Sequence, residues 1–189
     1  RTTLIGVFDK RITSLSMSND DKSLLVTFNN PSPTSTNALV AYANRVDKFD
    51  YTYLKWMKKE GAMNGVQIYC SLTEKDDQNR ILIGTDNGVY FCEDISSPNP
   101  GWRRVNNNQL PYVQIFDLKQ QTRGSHDCLN SGQIYAATNG RGIWATSAFY
   151  KPFYVGVNEH QNYFYDPEKN LNIFPNPSNG IVNTMFVGY

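Results

Sequence analysis

The sequence predicts an all-β chain, a partial β-propeller of about three blades, each a four-stranded antiparallel sheet. Three observations carry this. Apolar runs of strand length alternate with Gly, Pro, Asn and Asp turns across residues 11–146. Aromatics reach 13% of the 189 residues, with 12 Tyr and 10 Phe, which suits pleated surfaces where rings pack across strands. The chain also repeats itself: Val66-Gln67-Ile68-Tyr69 returns as Val113-Gln114-Ile115-Phe116, position 113 against 66, an offset of 47. Residues 81–90, aligned on Thr85, return at 134–144 aligned on Thr138, an offset of 53. The difference falls in the polar stretch 122–132, read as a loop insertion. A period near 50 built from short strands marks propeller blades.

The first blade is expected at Ile12–Met17, Ser23–Phe28, Ala38–Asn44 and Tyr51–Met57, with turn signals at Asn19-Asp20-Asp21 and between Asn29 and Asn37. Lys and Met in Tyr51–Glu60 also suit a helix; the aromatic alternation favours strand. The second blade is expected at Val66–Leu72, Arg80–Thr85, Val89–Cys92 and Gly101–Val105. Between its middle strands Asp86-Asn87-Gly88 forms a hairpin turn, the Asn-Gly pair supplying positive φ. The third blade offers Val113–Lys119, Gln133–Thr138 and Gly142–Thr146, with no fourth strand directly after. Thr3–Phe8 is a candidate for that strand, or for the outer strand of a preceding blade. About three blades do not close a ring of roughly four to eight, so the remaining blades of the same propeller are expected as the chain's first partner. The opening Arg1-Thr2-Thr3, without Met or an export leader, agrees with a start inside a longer protein. The organisation expected is therefore propeller blades over 1–147, an aromatic-rich linker over 148–170 and a small β-domain opening at 171–189.

Composition narrows the function. With 18 basic and 17 acidic side chains the net charge is +1, so no fold-wide grip on nucleic acid or an anionic membrane is expected. No apolar run reaches the ~18 residues of a membrane helix. Cys70, Cys92 and Cys128 lack zinc-site spacing, and Cys70 shares the parity of Val66, Ile68 and Leu72, which predicts a core thiol. No phosphate loop or dinucleotide fingerprint occurs, so no cofactor is expected.

Two resemblances attach to these residues. Ile81–Cys92 with Gly101-Trp102, then Leu110-Pro111 leading into Val113–Leu118, resemble repeats of sialidase-like and sortilin-like propellers of the Asp-box type. Ala136-Ala137-Thr138-Asn139-Gly140-Arg141-Gly142-Ile143-Trp144 resembles the close of such repeats. The repeat positions are Gly84, Thr85, Gly88, Trp102, Thr138, Gly140, Gly142 and Trp144. The Asp-box turn is degenerate here, because six residues separate Asp94 from Gly101-Trp102. Leu171–Val182, with Phe174-Pro175-Asn176-Pro177 and Gly180, is similar to the opening of the type A C-terminal sorting domain of type IX secretion substrates in Bacteroidetes. That resemblance implies recognition of Phe174, Pro175, Asn176, Pro177 and Gly180 by the secretion machinery, and display outside a Gram-negative cell.

Candidates for chemistry are sparse. Propeller glycosidases place Asp, Glu, Tyr or Arg around the central channel, and Asp117, Asp86 and Arg141 are the candidates here, yet each also reads as a turn former, cap or rim ion-pair partner. His126-Asp127 lacks a nucleophile embedded in a motif. The sequence therefore favours a secreted or surface binding and adhesion module for a glycan or protein. A propeller glycoside hydrolase with its catalytic residues elsewhere, and cargo held on the export machinery, are the alternatives.

Overall fold

The computed structural model describes residues 1–8, 10–29, 45–61, 63, 66–107, 109–149 and 173–175. It is all-β in these residues, with twelve strands in three four-stranded antiparallel sheets. The first sheet runs in order through β1 (Arg11–Met17), β2 (Ser23–Asn29), β3 (Arg45–Asp50) and β4 (Lys55–Lys58). The second runs through β5 (Ile68–Thr73), β6 (Ile81–Thr85), β7 (Gly88–Cys92) and β8 (Trp102–Arg104). The third holds β9 (Ile115–Gln120), β10 (Ile134–Thr138), β11 (Ile143–Thr146) and β12 (Ile173–Pro175). Up-and-down four-stranded sheets standing side by side are propeller blades, and the chain is a partial β-propeller.

The strands alternate as a stack of sheets requires. In β6, Ile81 and Ile83 join Leu25, Val46, Ile68 and Cys92 in the core between the first two sheets. Leu82, one residue out of step, joins Leu118, Ile134 and Ala136 between the second and third. All five β6 residues are consequently buried, because this strand has a neighbouring sheet on each face. A fully buried Ile or Leu contributes roughly 1.5–3 kcal/mol relative to exposure. A third cluster, Leu24, Val26, Phe28 and Phe49 with Phe8 and Trp56, occupies the other face of the first sheet.

The inner strands β1, β5 and β9 belong to different sheets, so no backbone ladder joins them. Side chains lace them instead. Ser14 Oγ accepts from Ser71 N at 3.1 Å, and Ser16 Oγ accepts from Thr73 N at 2.8 Å. At the next junction Lys75 N donates to Gln120 Oε1 at 2.8 Å, while Gln120 Nε2 donates to Glu74 Oε1 at 3.0 Å. Glu74 is 1% exposed, and its other oxygen accepts from Asp76 N and Asp77 N, so this buried carboxylate is fully employed in the turn after β5.

The structure corrects several expectations. The third strand of the first sheet begins at Arg45; the expected span Ala38–Asn44 lies outside the described residues. Tyr51–Leu54 is a turn, not the start of a strand: Asp50 Oδ1 accepts from Thr52 N and Tyr53 N, and Leu54 takes φ 50°. These local bonds offer the backbone an alternative to the ladder. Thr3–Phe8 is not a strand; Phe8 packs 4.9 Å from the rings of both Phe28 and Trp56, and Trp56 Nε1 donates to Ile5 O at 2.8 Å. In the 86–88 turn only Gly88 has positive φ, 104°; Asn87 does not share it. Finally, the sequence places a separate domain from 171 and leaves the third blade without its fourth strand. Ile173–Pro175 instead supplies that strand, pairing Trp144 with Pro175, Ala145 with Phe174 and Thr146 with Ile173. Ala148 and Phe149, expected in a linker, are buried in the core between the second and third sheets. No helix among the described residues is long and apolar enough to cross a membrane.

Candidate functional site

The repeat that predicts the blades also builds a polar rim where β5 and β9 begin. Gln67 and Gln114 each precede an inner strand, and each is tied to the hairpin of its own blade. Asp86 N donates to Gln67 O at 3.0 Å, and Asn139 N donates to Gln114 O at 2.9 Å. Side chains then link the two blades in one chain of hydrogen bonds. Asn139 Nδ2 donates to Gln114 Oε1 at 2.7 Å, Gln114 Nε2 to the Tyr69 hydroxyl at 3.2 Å, and that hydroxyl to Gln67 Oε1 at 2.8 Å. Beside this chain the Tyr69 and Phe116 rings meet edge to face, centroids 5.7 Å apart. Burial, then the charge of Asp86, raises the Tyr69 pKa above its ordinary value. Phe116 is 49% exposed, an aromatic surface beside fixed amides.

The two hairpins above this rim share a design. Thr85 Oγ1 donates to Gly88 O at 2.8 Å, and Thr138 Oγ1 donates to Gly142 O at 2.7 Å. Gly88 at φ 104° lies against the Asn106 amide, whose Oδ1 accepts from Val89 N at 3.2 Å; a side chain there meets both strain and a filled site. The second hairpin is one residue longer. Gly140 and Gly142, at φ 71° and 77°, flank Arg141 at an exposed tip, and Trp144 Nε1 donates to Arg141 O at 3.0 Å. Trp102 Nε1 instead reaches back to Lys59 O in the preceding blade, at 2.9 Å. Lys59 is 4% exposed; its ammonium donates to Ser96 O and Ser97 O, and its pKa is lowered chiefly by burial.

The carboxylates singled out by sequence have local partners. Asp86 Oδ1 accepts from Gln67 N at 3.3 Å. Asp117 Oδ1 lies 3.3 Å from Lys119 Nζ and accepts from Leu118 N. Asp94 accepts from Ser96 N and Ser96 Oγ in a tight turn that buries Ile95, and these bonds lower its pKa. His126 and Asp127 sit exposed in the inserted loop. Of the sorting-motif residues, Phe174 and Pro175 lie in β12; Asn176, Pro177 and Gly180 fall outside the described residues. Among the described residues no group of three or more His, Cys, Asp or Glu is placed to hold a metal ion.

Sequence reasoning treated Gln67 and Gln114 only as marks of the repeat. The available signal was their recurrence directly before an inner strand, with an aromatic two residues on.

The fold and rim define a partial β-propeller with an amide and aromatic edge. No family model and no curated protein matches the chain. Among solved structures it is similar to the β-propeller domain of Cps50 (Swd1) from Myceliophteria thermophila, at 12% identity and TM-score 0.46. The match covers 71% of this chain and 37% of that one, so the chain spans little more than a third of that domain.

Proposed function

We propose that the chain is part of a secreted or cell-surface β-propeller that binds a glycan or protein through the Tyr69–Phe116 rim. The observation that carries this is the hydrogen-bonded series Asn139–Gln114–Tyr69–Gln67 beside a half-exposed phenylalanine. Fixed amides and an aromatic surface provide oriented donors, acceptors and an apolar platform, as binding sites generally do. Asp86 and Asp117, the carboxylates weighed for hydrolysis, make local contacts to Gln67 N and to Lys119.

Affinity electrophoresis of the full chain through gels containing xyloglucan or mucin tests the glycan arm. Retardation that Phe116→Ala and Gln114→Ala abolish supports the rim. Release of reducing sugar would instead favour the glycoside hydrolase reading. Equal mobility in every gel would remove the glycan arm and leave a protein ligand.

Export through the type IX secretion system forms the second part of the proposal. It rests on the resemblance of Leu171–Val182 to the sorting-domain opening. A reporter fused to residues from Leu171 onward, completed by the native remainder, is expected outside a type IX-competent cell and inside a secretion-null strain. Retention in both strains sinks export and the cargo reading with it.

A further inference from the structure

The outer edge of the third blade is closed by a strand that is distant in sequence and very short. β11 pairs with β10 over Ala137–Ile143 to Ile134–Thr146, and its other edge takes only Ile173, Phe174 and Pro175. Pro175 has no N–H, so it ends the donor series, and Ala145–Phe174 is the pair that can exchange both backbone bonds. The intervening residues 150–172 can extend over a distance on the order of 75 Å. Chain connectivity therefore does not force β12 onto this edge, where its ladder is three residue pairs long. An apolar cavity of about 30 Å³ adjoins β11, lined by Leu82, Val89, Leu118, Ile134, Trp144 and Ala145 among others.

We infer that the edge of β11 opposite β10 is a strand-acceptor site whose resident is the chain's own Ile173–Pro175, held in cis and exchangeable. The ligand class is an extended peptide with an N–H opposite Ala145 and proline next. Such β-augmentation draws its affinity from main-chain bonds, and three paired residues make a weak, reversible ladder. Phe174 and Pro175 cannot lie in the blade and in an outside receptor together. Any receptor reading this motif must compete with β11, and its apparent affinity falls by the fraction of chains with β12 withdrawn. That consequence rests on the export reading; the strand exchange does not.

The experiment uses the full chain carrying Cys128→Ser, Ala145→Cys and Phe174→Cys, oxidised at low protein concentration. Directly opposed strand residues fall within disulfide reach. A monomeric cross-link between the two introduced thiols is expected. A tethered strand has an effective concentration on the order of millimolar, so about 5 mM of the peptide LNIFPNPSNG should lower the yield several-fold. The same peptide with Phe174→Pro, which lacks the central N–H, should not. A control pair, Tyr90→Cys with Arg104→Cys on the β7–β8 ladder, should close regardless of peptide. No cross-link between β11 and β12 while the control closes, or only cross-linked dimers, overturns residence in cis. A yield indifferent to peptide overturns exchange. Amide hydrogen exchange at 144–146 repeats the test without introduced cysteines: Phe174→Pro in the full chain should accelerate it, and unchanged protection overturns the pairing. Reporter localisation reads export separately, so the two proposals fail independently.

Discussion

Gly84 lies so close to Ile115 that a Cβ added to it would stand 2.8 Å from Ile115 Cγ2 and 2.9 Å from Ile115 Cβ. The Cys70 sulfur is closer still on the same side. Gly84 is in β6 and Ile115 opens β9, so this contact is where the second blade meets the third. A residue without a side chain sets their spacing.

Gly84→Ala should therefore destabilise the chain by about 1–3 kcal/mol through overpacking, read as a lower urea midpoint. Alanine is otherwise the better strand residue by roughly 0.5–1 kcal/mol, so the sign tests the close approach itself. Gly101→Ala meets nothing within 4 Å and should change stability by no more than about 0.5 kcal/mol. Equal midpoints for the two variants would contradict the seam.

The lacing between β1 and β5 predicts coupling between residues distant in sequence. Ser16 Oγ lies 2.8 Å from Thr73 N and 2.9 Å from Thr73 Oγ1. A double-mutant cycle of Ser16→Ala and Thr73→Val should give a coupling energy of about 0.5–1.5 kcal/mol. Strict additivity would mean the inner strands are held by apolar packing alone.

Much of this architecture was legible because propeller blades repeat. The offset between Val66-Gln67-Ile68-Tyr69 and its copy located β5 and β9 to within two residues, and hairpin glycines located β7 and β11. The first blade was harder. Asp50 caps the turn at Thr52 and Tyr53, and that bond outweighs the strand propensity of Tyr51 and Tyr53. The rim was visible only as repetition, since nothing local says that the amides of Gln67, Gln114 and Asn139 meet across blades. Pairing of β11 with Ile173–Pro175 was not legible at all, because the Pro-Asn-Pro signal reads as a loop and strand partners distant in sequence leave no periodic trace.

Trp102 should behave as a clasp between blades. Trp102→Phe keeps most of the ring but removes the N–H that bonds Lys59 O. A loss of about 1 kcal/mol in urea denaturation is expected, larger than for the exposed Arg103→Ala. The same variant should raise amide exchange in the 93–101 loop, whose Ser96 and Ser97 carbonyls hold the Lys59 ammonium. Unchanged exchange would place the clasp elsewhere.

The buried thiols give the alkaline limit of stability. Burial pushes Cys70 up to about 12 and Cys92 up to about 11, against an ordinary value of 9.0. Folding therefore favours their neutral forms, and the stability this contributes is complete below pH 9. Between pH 9 and the folded values the unfolded chain releases protons that the folded chain retains. Stability must then fall as pH rises, by up to about 1.4 kcal/mol per pH unit for each thiol. Cys70→Ala also leaves a small cavity, but a cavity lowers the whole curve without changing its slope. Urea midpoints between pH 9.5 and 10.5 should thus decline less steeply in Cys70→Ala than in the parent, although Tyr69 contributes a similar slope in both at higher pH. Thiol labelling at pH 8 supplies the companion test. Cys128, half-buried beside the Arg123 and Gly124 carbonyls, should react first. Cys70 stays a buried thiol at that pH, its ionisation pushed well above the ordinary value, so it and Cys92 should be modified at the rate of unfolding. Three equally fast thiols would show that the two blade junctions are not closed.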